Sequence, residues 1–229
     1  MSDDGTLEAF RLADSFLPVG TYTVSYGLEQ FVQDGRVEDA GDLEALLATY
    51  LRRQLGPADL VVVRAAHAAA RAGDADAIIE ADRRLTAATM AAEFRESAEQ
   101  SGDRLLSLQR ELRDDELLDA YAAGVETGAA PGNFPAVLGV AAGLAGVEER
   151  TACLLCCHGF VTGLLGAAQR LLSLGHTEAQ RVLDDLRPVM VEAVEDSAGR
   201  SLDALSPFAP LVDVLAAEHE RAERRLFVS

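Results

Sequence analysis

Cys153, Cys156, Cys157 and His158 form a C-x-x-C-C-H run, the most metal-like spacing in the chain. Thiolate sulfur and imidazole nitrogen are ligands of tetrahedral metal sites, so the run suggests a metal-binding chaperone. On a helix the three cysteines at i, i+3 and i+4 share one face, while His158 points about 100° away from Cys157. Three thiolates on one face need a further ligand from elsewhere to close a tetrahedral site. A buried free cysteine, by contrast, packs as a small hydrophobe, and the residues around this run are apolar. Metal site and plain core packing are therefore the two readings. Glu218-His219-Glu220 with Glu223 departs from H-E-x-x-H, because Glu223 stands where the second histidine is needed. His67 and His176 have no local partner for general-base work, and neither G-x-S-x-G nor G-x-G-x-x-G occurs. All 20 basic side chains are arginines, so a Walker A loop, a kinase-type lysine and a Schiff-base lysine are excluded. No catalytic constellation emerges. A helical domain without one is expected to act by binding rather than as an enzyme, and no resident cofactor is expected.

The elements that would position these residues read as helices almost throughout. Leu43, Leu46, Leu47, Tyr50 and Leu51 make an amphipathic stripe opening at Asp42. Pro57 suits the first turn of a following helix that runs toward Ala72. Gly73-Asp74 reads as a C′ glycine followed by an N-cap. Residues 90–122 read as one long or once-broken helix, and Gly124 to Pro135 as a surface loop inside one domain. Residues 148–173 form an almost uncharged central helix that carries the cysteines. Thr177 and Gln180 fit a capping box for the next helix, and Pro188 should kink or restart that one. Ser206 to Pro210 is a turn before a last helix. The expectation is an all-α, single-domain bundle of about eight to ten helices over 1–229, with 1–6 and the tail 222–229 as flexible ends.

Composition narrows the setting. The chain has 229 residues, 38 acidic against 20 basic, for a net charge of −18. That balance argues against nucleic-acid binding, which needs a basic stripe. The 49% hydrophobic content provides a core and excludes an acidic disordered chain. Acidity without lysine points to work at very high salt, where self-repulsion is screened, and hence to a halophilic archaeon. An ordinary acidic protein of a GC-rich bacterium has the same composition. The opening Met-Ser-Asp-Asp-Gly lacks an apolar stretch, so no signal peptide is expected. Residues 150–170 barely reach membrane-spanning length, and three glycines and His158 favour a helix buried in the core. Three clustered cysteines suit a reduced cytoplasm.

Two segments are unlike ordinary core or surface. Leu17-Pro18-Val19-Gly20-Thr21-Tyr22, before Ser25-Tyr26-Gly27-Leu28-Glu29, has the composition of a recognition loop or a helix start. At the C-terminus, Arg221, Arg224 and Arg225 lie beside Leu226, Phe227 and Val228. Such a tail can fold onto a partner, with Phe227 as anchor and arginine pairing to carboxylates, or dock on its own domain.

Four blocks carry a resemblance to a known family. They are Leu12-Ala13-Asp14-Ser15-Phe16-Leu17-Pro18-Val19-Gly20 with Ser25-Tyr26-Gly27-Leu28-Glu29 and Val32-Gln33-Asp34-Gly35; Glu93-Phe94-Arg95-Glu96-Ser97; Arg170 to Thr177 with Gln180; and His219-Glu220 through Arg225-Leu226-Phe227-Val228-Ser229. In this order they resemble the urease accessory protein UreF family. Ser173 and His176 replace a usual Pro and Gln, Asn133-Phe134-Pro135 stands for His-Tyr-Pro, and Glu223 replaces a tyrosine. The resemblance implies a non-enzymatic, all-helical homodimer that bridges UreD (also UreH) and the GTPase UreG while nickel enters apo-urease. It implies a UreD contact at Arg225, Leu226, Phe227 and Ser229, and an exposed UreG-facing surface including Tyr26, Glu29, Gly175 and His176.

Overall fold

The computed structural model describes residues 2–14, 16–19 and 26–219, with side chains as far as Leu215. Among the described residues there is no strand, and the architecture is the expected all-α bundle. Helices α1 (Asp3–Leu12) and α2 (Leu28–Gln33) precede a continuous rod. The rod comprises α3 (Ala40–Tyr50), a π-helical stretch (Leu51–Asp59) and α4 (Leu60–Ala72). Then follow α5 (Ala75–Ala88), α6 (Ala92–Leu112), α7 (Glu116–Glu126), α8 (Phe134–Leu144) and α9 (Glu149–Leu171). The chain continues through α10 (His176–Asp185), α11 (Arg187–Ser197) and α12 (Pro210–His219).

Local chemistry explains most boundaries. Asp39, Asp74 and Asp115 cap α3, α5 and α7 by accepting from amides of the first turn, each worth about 1 kcal/mol. Asp39 thus opens the first stripe, three residues before Asp42. Gly73 ends α4 at φ +71, the conformation a C′ glycine supplies. The 90–122 stretch is broken once, at Arg113 to Asp115. Helix α10 starts one residue before Thr177, after Gly175, with no side-chain cap, so the expected capping box does not form.

Pro57 does not begin a new helix. It lies inside the rod, and the ladder widens to π-helical spacing around it. Proline has no N–H for the carbonyl four residues earlier and its ring crowds that carbonyl. The carbonyl concerned is Arg53 O, and it accepts instead from Phe208 N at 2.9 Å. Ser206 N likewise donates to Pro57 O at 3.2 Å, so the segment before α12 satisfies the interrupted ladder.

Helix α8 is the centre of the bundle, with Pro135 to Gly143 all buried. It lies against α4 at backbone distance. A β-carbon on Gly139 would sit 2.5 Å from Val63 O, and one on Gly143 would sit 2.9 Å from His67 O. Arg64 ties α4 to the next layer, donating to Ser197 Oγ at 3.0 Å and Val194 O at 2.7 Å and pairing with Glu149.

The loop before α8 is a surface loop only in its first part: Gly124 to Glu126 still belong to α7, Thr127 to Ala129 are exposed, and the end of the loop turns inward. Gly132 and Asn133 are buried because Asp82 of α5 gathers them. Its carboxylate accepts from Gly132 N at 2.7 Å, Asn133 N at 3.0 Å, Asn133 Nδ2 at 2.7 Å and Tyr121 Oη at 2.7 Å. Gly102 of α6 allows the loop to close, since a β-carbon there would overlap Gly132 O and come within 2.7 Å of Phe134 N.

Candidate interaction sites

Helix α9 brings Cys153, Cys156 and Cys157 to its inner face, 0%, 6% and 0% exposed. Burial pushes the thiol of Cys153 up to about 11 and that of Cys157 up to about 12, and raises that of Cys156 well above its ordinary value. The thiolate is the metal-binding form, so these sulfurs are protonated near neutrality. Cys153 Sγ points to Leu60 O at 3.9 Å, a weak intrabundle contact. His158 is half-buried away from them, its imidazole pushed down by burial and then by Arg187. Among the described residues, no three or more His, Cys, Asp or Glu side chains gather where they could hold a metal ion. By length and composition α9 could cross a membrane, yet 56% of its most apolar window is buried in the bundle. Its remaining face, including Leu155, His158, Gly159 and Thr162, is partly open rather than enclosed on all sides.

Tyr26 and Glu29 lie where α2 begins, and neither has the exposure the resemblance implies. Glu29 is 1% exposed, and its carboxylate accepts from Gln33 Nε2 at 3.1 Å. Helix α2 turns this residue inward together with Leu28 and Phe31, so i and i+3 positions face the core. Tyr26 is half-buried with φ +45, among the described non-glycine residues the one with positive φ. Its carbonyl accepts from Tyr50 Oη. Its ring is 5.2 Å from Phe94 and 4.9 Å from Phe160, centroid to centroid. The Glu93-to-Ser97 block thus contributes core, with Glu93, Phe94 and Ser97 all buried. Gly175 and His176 are exposed, as implied, and His176 Nδ1 is 2.9 Å from Gln169 Nε2. Phe160 and the end of α9 are about 16 Å apart along the helix axis. The structure therefore separates the Tyr26 cluster from the Gly175-His176 turn. Arg225, Leu226, Phe227 and Ser229 lie outside the described residues.

One group escaped the sequence reading. Asp59, itself half-buried, closes the π-helical stretch beside the Tyr26 cluster, facing a partly open cavity of about 130 Å³. Burial pushes its carboxyl up to about 7, opposed only by its own backbone amide. The available signal was Pro57 two residues earlier, which marks a disturbed ladder; nothing in spacing shows that the disturbance aims a carboxyl inward. A carboxyl raised in the fold keeps its proton where the unfolded chain has lost it. Its contribution to stability is full below about 4 and is lost as pH rises to about 7. Asp59→Asn should remove that slope and raise the melting temperature at pH 8, with little change at pH 4. Thermal unfolding at the two pH values checks it, and equal shifts at both would contradict the assignment.

The UreF family profile matches residues 37–187. A protein of Trichodesmium erythraeum named urease accessory protein UreF is 32% identical over 223 residues, 97% of this chain and 96% of that one. The chain belongs to the UreF family. Urease accessory protein UreF 1 of Brucella melitensis is 31% identical, covering 98% of this chain and 93% of its own. UreF of Yersinia enterocolitica is 30% identical over 99% of both. The UreF match extends well beyond the profile at both ends, so it takes in segments outside 37–187 as well as the α3–α10 core.

Proposed function

We propose that this protein is a urease accessory factor that works by binding, without catalysis of its own. The observation that carries this is the near end-to-end match to relatives named urease accessory proteins. The buried, protonated cysteines favour a scaffold over a metal carrier built on the Cys153 run. On this reading it forms a homodimer in the cytoplasm and bridges UreD and the GTPase UreG while nickel is inserted into apo-urease. Arg225, Leu226, Phe227 and Ser229 contact UreD, an aromatic anchor with arginine beside it being a common hot-spot composition. Gly175 and His176, which are exposed, are better placed for UreG than Tyr26 and Glu29, which are packed inward. The high-salt reading rests on the acidic, lysine-free composition alone.

Size-exclusion chromatography with light scattering, on mixtures with UreD and UreG, tests the bridge. The full chain should form a complex with UreD that recruits UreG, and a chain truncated after Arg221 should form none. Phe227→Ala should weaken the UreD complex by about 1 kcal/mol or more. Unchanged affinity in both variants would remove the tail from the interface.

A further inference from the structure

The cavity at the π-helical stretch contains an unusual combination. Its wall is mainly apolar, and Tyr26, Phe94, Phe134 and Phe160 supply four aromatic rings. Asp59, Asp213 and Asp14 also line it, while no arginine or histidine is among its described lining residues. Tyr26, Cys156 and Cys157 face Asp59 from the start of α2 and from α9. Among the described residues, none other than Asp59 itself donates a hydrogen bond to its carboxylate, and none forms an ion pair with it. A carboxylate removed from bulk water and left without a cation is costly, and the protein either protonates it or supplies a partner.

We propose that this cavity binds a small organic cation, an ammonium or guanidinium head on a short apolar stem, with the Asp59 carboxylate accepting from its N–H groups. The volume suits such a ligand, because a cavity of roughly 150 Å³ holds a benzene-sized molecule. Aromatic rings attract a desolvated cation, and the apolar wall accommodates the stem. A metal ion fits less well, since it needs several ligands together and no such group gathers among the described residues. The elevated titration of Asp59 agrees with this: below about pH 7 the carboxyl is neutralised by a proton, and an incoming cation takes that proton's place. The head can arrive on a free amine or on a lysine or arginine side chain of a bound protein. The inference does not depend on the urease reading.

The test titrates the full-length chain with n-butylammonium, n-butylguanidinium, the neutral n-butanol and a Gly-Arg-Gly peptide. Calorimetry and ligand-observed NMR at pH 8 and pH 5 follow binding. Saturable one-to-one binding is expected for at least one cation, tighter than for butanol and weakened by at least about tenfold in Asp59→Asn. Affinity should fall at pH 5, where the carboxyl is protonated. Peptide binding without free-amine binding would assign the head to a protein partner. Phe160→Leu, which keeps the carboxyl, should weaken the cations more than butanol. Circular dichroism confirms that both variants fold. Equal binding by wild type and Asp59→Asn, butanol equal to the cations, or no binding at all would overturn the proposal.

Discussion

Asp82→Ala should destabilise the protein by about 4 kcal/mol and lower its melting temperature by roughly 10 °C. The carboxylate accepts from Tyr121 Oη, Gly132 N, Asn133 N and Asn133 Nδ2 in a buried setting. Alanine leaves Tyr121 Oη and both backbone amides without an acceptor. Each unsatisfied buried donor costs about 1–3 kcal/mol, and a shared network makes the total less than the sum. Asn133 Nδ2 is spared, because it still reaches Thr86 Oγ1 at 2.8 Å. Asp82→Asn retains one acceptor oxygen and turns an amide group toward the other donors, so an intermediate loss is expected. Calorimetry of the three proteins checks the order. Alanine and wild type melting within 2 °C of each other would mean that the loop before α8 is held by something else.

Gly139→Leu should be comparably damaging, on the order of 3 kcal/mol, for an unrelated reason. Its β-carbon would lie 2.5 Å from Val63 O and 3.0 Å from Ala66 Cβ. Those atoms belong to the α4 backbone and to a side chain with no freedom to turn aside, so α4 and α8 must separate. Separation opens the most buried layer of the bundle, which loses dispersion contacts along both helices. Gly159 of α9 is the control, being exposed with nothing within 4 Å of an added β-carbon. Gly159→Ala should stabilise by about 0.5–1 kcal/mol through helix propensity. Denaturant unfolding separates the two. A tolerated Gly139→Leu would show that α4 and α8 do not rely on close contact.

Helix periodicity and caps were legible because they depend on neighbours in sequence. Asp74 and Gly73 needed only adjacent residues to declare a helix end and a new start. The all-α class followed from the same local signals. What could not be read depends on contacts between distant segments. Pro57 reads as a helix start until Phe208 is known to take the carbonyl that it frees. The surface-loop reading of Gly124 to Pro135 holds for exposed Thr127 to Ala129 but not for Gly132 and Asn133, which Asp82, some fifty residues earlier, draws inward. Glu29 is polar, and only the packing of α2 shows that it faces inward. The cysteine run was open to two readings, and burial of all three sulfurs favours packing.

The accessory role itself is tested most directly by urease maturation. Urease would be produced with its remaining accessory proteins, with and without this chain, and purified urease assayed for nickel per active site and for activity. We expect urease protein at equal abundance in both, with nickel and activity reaching full levels only when this chain is present. Equal nickel loading and activity in its absence would contradict the account.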